Sequence, residues 1–376
     1  MEYKRVGVIG GGQLAWMMAA EAPKLGINLT VQTPNQDDPA VKRSYDVIFA
    51  DVDDAFGTAK LAKVCDVITF ENEFIDLEAL QKLVQKGIYF NPSIDALAPL
   101  LDKYNQRNYI KSIDIPVPKF SLYSSQQDLV ANFGFPVVLK ARRHGYDGQG
   151  TFIIKDAESL AKLGASIPIR ELLVEEFIPF ERELGIIAAR NKSGDVAIYP
   201  VTETYQKNQV CHWTISPADV TKEAAEEVKA IACKILEQLN VIGVFGIEFF
   251  LTKDNRVLVN EIAPRTHNSG HYTLNGCETS QFAMQLQAVT GMSLGSTALK
   301  SAGALMVNLL GFEESDSDYQ VKRDRFLEIP NSFVYWYGKS SRFGRKLGHV
   351  TVVLNKKELT QAKSTIEKIE SIWYEN

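Results

Sequence analysis

Glu248 and Glu261 carry the clearest chemical signal in this chain. They lie in "VFGIEFFLTKDNRVLVNEIAPR", two apolar runs around the turn-forming "KDNR". A two-residue turn centred on Asp254-Asn255 predicts a hairpin with Glu248 directly opposite Glu261 on one face, Cβ atoms about 5 Å apart. Like charges so placed repel unless a cation sits between them, and the neighbours Phe249, Phe250, Val259 and Ile262 are apolar. A bridging Mg²⁺ accounts for both facts, because it takes hard oxygen ligands and would also hold phosphate oxygens. The plainer reading is an exposed edge hairpin with two unrelated acids. Register decides between them, since a slip of one residue turns one acid to the other face.

A second pattern is "HGYDGQG", set between "FPVVLK" and "TFIIK". It lacks the order of a phosphate-binding P-loop and opens no helix. Asp147-Gly148 alone is an ordinary hairpin turn. With Lys140 ending the preceding strand, the glycine N–H groups suit a lid over phosphates. A lid and a metal hairpin imply a nucleotide between two domains.

The third pattern is "RVGVIGGGQLAWMM". Gly10, Gly12 and Ala15 satisfy G-x-G-x-x-A. Dinucleotide binding also needs an acid at the end of the second strand, and that strand ends in Gln32-Thr33-Pro34. An NAD-dependent oxidoreductase therefore ranks low. A phosphate or ligand-edge role for the loop is expected instead, against tight strand–helix packing alone.

The elements that must position these residues follow from periodicity. The first hundred residues alternate strands ("RVGVIG", "INLTVQT", "YDVIFAD", "DVITFENE") with helices, the pattern of a doubly wound parallel sheet. Beyond Pro116 the segments "LLVEEFI", "ELGIIAAR" and "VAIYPVTE" read as antiparallel strands. An amphipathic helix from about Lys222 to Leu239 turns Val228, Ile231, Ile235 and Leu239 to one face. The tail adds a helix from about Ser280, further strands, the basic loop "KSSRFGRKLGH" and a last helix.

Composition bounds the rest. The 376 residues carry a net charge of −5, which argues against a nucleic-acid binder dominated by phosphate contacts. Four cysteines without CxxC spacing, beside five histidines, argue against a zinc site and make free thiols in a reducing cytoplasm the expectation. No signal peptide and no membrane span are expected.

Taken together, "GGGQLAWM", "TFENE", "LKARRHGYDGQG", "EEFIPFERELG", "NEIAPRTHNSGHY" and "GRKLGHVT" resemble the ATP-grasp superfamily. More narrowly they resemble the PurK-type 5-(carboxyamino)imidazole ribonucleotide synthase family of purine synthesis. The resemblance runs over nearly the whole chain in the family's order. "NEIAPRTHNSGHY" and the flap are specific; the glycine loop alone is weak.

The resemblance implies an α/β and α+β, ATP-grasp architecture. Its parts are an N-terminal doubly wound domain (1–115), a small lid (116–180) and a larger antiparallel-sheet domain (181–376). It implies that ATP converts bicarbonate to carboxyphosphate, which carboxylates the exocyclic amine of 5-aminoimidazole ribonucleotide. By position, Lys103 and Lys140 would touch ATP phosphates, Gly145, Tyr146, Asp147, Gly148, Gln149 and Gly150 would form the flap, and Thr151 would also bind ATP. Glu175, Glu176, Phe177 and Ile178 would hold adenine, largely by backbone, and Glu183 the ribose. Gln206 and Asn260 would complete the nucleotide site, with Glu248 and Glu261 on Mg²⁺. Arg265 and His267 would hold bicarbonate and stabilise charge on carboxyphosphate. Gln13, Glu71, Glu73, Tyr146, Asp147, Asn268, Lys339, Arg345 and Lys346 would bind the imidazole nucleotide, Arg345 and Lys346 at its 5′-phosphate.

His267 and His271, spaced i, i+4, could instead ligate zinc from a helix, but Pro264 and Gly270 argue against a helix there. The chain also departs from the family: Ala15-Trp16 replaces Gly-Arg, Lys103 a common arginine, Gln206 a histidine and Thr266 a proline. These bear on affinity more than on reaction type. The family also suggests a homodimer and product hand-off to a carboxyaminoimidazole ribonucleotide mutase. The rival readings are another ATP-grasp ligase, such as a formate-dependent glycinamide ribonucleotide transformylase, and a non-catalytic nucleotide sensor.

Overall fold

The computed structural model describes residues 4–143, 145, 150–167 and 171–375. The flap residues Tyr146, Asp147, Gly148 and Gln149 lie outside the described residues.

Strands β1 (Arg5–Ile9), β2 (Asn28–Thr33), β3 (Asp46–Phe49) and β4 (Val67–Phe70) form a parallel sheet in the order β3-β2-β1-β4. Val6 and Val8 pack with Leu14, Met17 and Met18 of the helix Gln13–Glu21, while Ile9, Ile68 and Phe70 pack with Leu61 and Leu80 of the helices Ala55–Val64 and Leu77–Val84. β1 and β4 are covered on both faces and are nearly all buried, whereas β2 alternates Leu29 and Val31 with Thr30 and Gln32 and the edge strand β3 is partly exposed. The helix after β1 ends in a 3₁₀ turn, Ala22–Leu25, stopped by Gly26 at φ 68°.

A second, antiparallel sheet holds β5 (Phe120–Leu122), β6 (Val137–Lys140), β7 (Thr151–Ile154) and β8 (Leu173–Glu176) in the order β5-β8-β6-β7. Lys140 pairs with Thr151, so the flap segment leaves and re-enters the sheet at neighbouring points.

The third sheet runs β14 (Val257–Ala263), β13 (Gly243–Thr252), β9 (Phe180–Arg190), β11 (Thr202–Lys207), β12 (Val210–Ser216), β15 (Gly303–Leu310), β17 (Lys346–Leu354), β16 (Ser332–Trp336), with β10 (Val196–Ile198) also on β9. "VAIYPVTE" is thus two strands rather than the one expected. Pro200 has no N–H for the ladder, and Tyr199 is buried, its hydroxyl donating to the Thr279 carbonyl at 2.9 Å. The helix Lys222–Gln238, capped by Thr221, buries Val228, Ile231 and Ile235 against β9 and β13, each contributing about 1.5–3 kcal/mol.

The β13–β14 hairpin corrects the expected turn. Leu251, Phe250 and Phe249 pair with Val257, Leu258 and Val259, one position short of the predicted register. The loop has three residues, Lys253 to Asn255, closed by the Thr252 N–H on the Arg256 carbonyl at 3.0 Å, with Asn255 at φ 59°. Asn260 then forms a β-bulge, and beyond it Glu248 does pair with Glu261. The two deviations cancel, so the acids face each other for a reason the simple turn did not contain.

Candidate functional site

A cavity of about 910 Å³ lies where the three sheets meet. Its wall includes Gln13, Glu71 and Glu73 from the first sheet's C-terminal edge, and Lys140, Gly145 and Thr151 from the second. Gln206, Glu248, Asn260, Glu261, Arg265, His267, Asn268 and Lys346 come from the third, and Lys103 from the helix Lys103–Ser112. Glu175, Glu176, Phe177, Ile178 and Glu183 complete the wall.

The electrostatics of this wall are uneven. Burial and the facing Glu261 push the Glu248 carboxyl up to about 7. Burial and Glu248 push Glu183 up to about 8. Burial would raise Glu261 as well, but the Lys103 ammonium at 2.9 Å outweighs it and holds Glu261 at about 2. Gln206 donates to Glu248 at 3.5 Å, and His267 Nε2 stands 3.8 Å from its other oxygen. Of the two facing acids Glu261 has the close ammonium, while Glu248 meets Gln206 and the His267 ring, a pairing that a divalent ion between them would fit. Among the described residues no group of three His, Cys, Asp or Glu could hold a metal alone. Mg²⁺ needs no such cage, since one or two carboxylates, water and phosphate suffice.

This arrangement has a pH signature. Glu248 and Glu183 hold protons in the folded metal-free protein that the unfolded chain releases near the ordinary carboxylate value. Their contribution is fully present below about pH 4.5 and is lost as pH rises through about 7–8. The melting temperature of the metal-free protein is therefore expected to fall between about pH 5 and pH 8. Mg²⁺ with ADP should flatten the fall, and a melting temperature that rises across this window would contradict the assignment.

Lys140 lines the cavity and is tied to Glu175. Both are buried: Lys140 Nζ lies 2.8 Å from Glu175 and donates to Asn260 Oδ1 at 3.0 Å, while Arg107 Nε takes the other Glu175 oxygen at 2.5 Å. Burial works against the Glu175 charge, but Arg107 and Lys140 prevail and hold it at about 2. The Glu175 side chain is thus a structural counter-ion, and its backbone pairs with Phe120 and Val138 inside the sheet.

Of the two roles expected for the glycine loop the structure bears on the phosphate one, while Gly10, Gly11 and Gly12 do edge the cavity. The loop's helix N-terminus is filled by this chain's own Glu71, which accepts from Gly12 N–H at 2.6 Å and Leu14 N–H at 3.1 Å. A Cβ on Gly12 would meet Glu71 Oε1 at 2.5 Å, and one on Gly10, at φ 116°, would meet Oε2 at 2.6 Å. The glycines make room for a carboxylate from β4's end, so the loop's N–H groups are not a phosphate cradle here. Trp16, at the usual arginine position, has the Arg43 guanidinium 4.7 Å over its ring.

Other expected residues divide. Glu73 reaches Arg265 Nε at 3.0 Å, joining the first and third sheets. Gln281 clamps the His267 backbone, accepting its N–H at 2.9 Å and donating to its carbonyl at 2.7 Å, and His267 Nδ1 lies 2.9 Å from Ser269 Oγ. His271 Nδ1 lies 3.2 Å from Gln281 Nε2 and its ring 5.0 Å from that of His349, and among the described residues it joins no group of three that could hold a metal. Asn268 exchanges amide bonds with Asn308 at 2.7 and 3.0 Å. Lys339 reaches the site through Gln13, 2.5 Å away. Arg345 is folded onto Ser340, donating to its carbonyl at 3.0 Å, and is not part of the cavity wall.

Sequence reasoning missed Gln106 and Arg107. The available signal was polar spacing i, i+3, i+4 in "KYNQR", starting at Lys103.

A doubly wound domain, a small antiparallel lid sheet and a larger sheet carrying a carboxylate hairpin define the ATP-grasp class. Residues 108–282 match the ATP-grasp domain, 3–99 the ribonucleotide synthetase preATP-grasp domain and 304–363 the phosphoribosylaminoimidazole carboxylase C-terminal domain. The chain is 51% identical to the N5-carboxyaminoimidazole ribonucleotide synthase of Synechocystis sp. over 98% of each chain. It is similar to the crystal structure of N5-carboxyaminoimidazole ribonucleotide synthetase from Thermotoga maritima, with TM-score 0.87 and 39% identity over 97% of this chain and 98% of that one. An Aspergillus clavatus N5-carboxyaminoimidazole synthase in complex with ADP and 5-aminoimidazole ribonucleotide aligns with TM-score 0.89 and 28% identity over 98% and 99%. The chain belongs to the N5-carboxyaminoimidazole ribonucleotide synthase family. Among the described residues no helix is long and apolar enough to cross a membrane.

Proposed function

We infer that this protein is an ATP-dependent carbon–nitrogen ligase that makes 5-(carboxyamino)imidazole ribonucleotide in de novo purine biosynthesis. The observation that carries this is Glu248 facing Glu261 beside Lys103 and Lys140, in one cavity with Arg265 and His267.

The γ-phosphoryl group leaves ADP and bonds to a bicarbonate oxygen, giving carboxyphosphate. The exocyclic amine of 5-aminoimidazole ribonucleotide then attacks the carboxyl carbon, phosphate departs with its electron pair, and the nitrogen loses a proton. Lys103 and Lys140 hold the phosphates, and Glu176 to Ile178 and Glu183 hold adenosine. Glu248 and Glu261 would hold Mg²⁺, which supplies charge neutralisation at the phosphoryl oxygens when bound. Arg265, fixed by Glu73, faces the charge that develops on carboxyphosphate, and His267 stands beside it. Glu73, Gln13 and Lys346 bound the imidazole nucleotide's end of the cavity, with Lys339 bonded to Gln13.

The reading extends to boundaries at 1–115, 116–180 and 181–376, a homodimer, and a reducing cytoplasm that suits four free cysteines. It also extends to hand-off of the unstable carbamate to a mutase. Formate-dependent transformylation draws no support from the relatives' names.

The test is ADP release with each co-substrate withheld in turn. Release is expected only when bicarbonate and 5-aminoimidazole ribonucleotide are both present. Turnover driven by formate and glycinamide ribonucleotide would overturn the assignment.

A further inference from the structure

β14 is the last strand of its sheet, so one row of its backbone N–H and C=O groups has no strand partner. It also contains the Asn260 bulge on which the facing of Glu248 and Glu261 depends. A helix face and the chain that follows it cover it: the Pro116 carbonyl accepts the Val259 N–H at 2.9 Å, and the helix takes the residues beyond. Lys103, Gln106 and Arg107 of the helix Lys103–Ser112 reach Glu261, Ile262 and Asn260 in turn.

Gln106 acts on the backbone alone. Its Oε1 accepts the Ile262 N–H at 2.9 Å, and its Nε2 donates to the Ile262 carbonyl and to the Leu100 carbonyl, both at 3.0 Å. It thereby stands in for the missing strand one residue after Glu261. Arg107 Nη2 donates to the Asn260 carbonyl at 2.5 Å while Nε holds Glu175 at 2.5 Å. Glu175 holds Lys140 at 2.8 Å, and Lys140 returns to Asn260 Oδ1 at 3.0 Å. The ring Arg107–Glu175–Lys140–Asn260 is closed, with Arg107, Glu175 and Lys140 buried and Asn260 half-buried, and it ties the lid sheet to the bulge. A buried network with its members paired is rigid, and a bulge so held cannot slide along its strand.

We propose that Gln106 and Arg107 are positioning residues of the nucleotide site, which pin the Asn260 bulge so that Glu261 stays opposite Glu248 and Lys140 stays on Asn260. Gln106 lines the cavity, but its amide oxygen and nitrogen are both taken by backbone groups, and Arg107 is taken by Asn260 and Glu175, so each acts through β14 or Glu175. The proposal rests on the reading of Glu248 and Glu261 as metal ligands.

The experiment compares Gln106→Leu, Arg107→Met, Arg107→Lys and Glu261→Gln in the full chain. Mn²⁺ in the presence of ADP is the probe, titrated by electron paramagnetic resonance, alongside the Michaelis constant for 5-aminoimidazole ribonucleotide and the melting temperature. Gln106→Leu and Arg107→Met are expected to weaken Mn²⁺·ADP roughly 10–100-fold, with Arg107→Lys between them and the parent and the imidazole nucleotide's Michaelis constant within about twofold. If Arg107→Met fails to unfold cooperatively, the double variant Arg107→Met, Glu175→Gln removes both buried charges and takes its place. Unchanged Mn²⁺·ADP affinity in folded Gln106→Leu and Arg107→Met, with Glu261→Gln impaired, sinks the positioning role alone. Equal losses toward both ligands reduce it to general loosening and also sink it. Unchanged affinity in Glu261→Gln removes the metal reading and the proposal with it.

Discussion

Glu261→Gln is expected to cut turnover by about three orders of magnitude or more while the protein stays folded. The substitution keeps the volume and removes the charge. In the parent, Glu261 is ionised against Lys103 at 2.9 Å and faces Glu248 across the hairpin. A neutral amide still accepts from Lys103, so the fold keeps that contact, but the metal loses half its protein charge. A second consequence separates this mechanism from simple damage. Glu248 is held up at about 7 partly by Glu261, so in the variant its titration moves down toward ordinary carboxylates. Steady-state rates over a range of Mg²⁺, thermal melts and a carboxyl titration together test the idea. Parental turnover at every Mg²⁺ concentration would contradict the metal hairpin.

The second large effect is expected at Arg265. Arg265→Met should lower turnover about 10²–10³-fold, the usual loss when a charge-stabilising donor is removed from an enclosed site. Arg265→Lys should recover part of it, because a lysine supplies charge without the guanidinium's fixed fork. The residue is set just beyond β14, pairs with Glu73 at 3.0 Å and donates to the Thr266 carbonyl at 3.1 Å. A strap between domains would also explain that geometry. Glu73→Gln discriminates: it breaks the strap but leaves the Arg265 charge, so turnover should suffer less than in Arg265→Met. If Glu73→Gln is as inactive and Arg265→Lys recovers nothing, Arg265 is a strap and not a charge stabiliser.

Much of the site is legible in the chain because its signals are local. Alternation of strand and helix, the apolar runs flanking "KDNR", and the glycines after Lys140 each depend on neighbours within a few residues. The facing of Glu248 and Glu261 was readable for the same reason, although the three-residue loop and the Asn260 bulge that produce it were not. A bulge has no sequence rule as strict as the period of a strand. It forms here where Arg107 and Gln106 can bond the displaced backbone from outside the sheet.

Sequence alone therefore determined the class of fold, the order of its parts and the acids that face each other, since periodicity and short turns are properties of adjacent residues. Tertiary structure alone decided which groups are already spent. Glu71 occupies the glycine loop 59 residues upstream, Arg107 meets Asn260 across 153 residues, and Asn268 meets Asn308 across 40. A buried donor or acceptor takes whatever partner packing brings within 3 Å or so, and no local pattern encodes partners that distant in the chain.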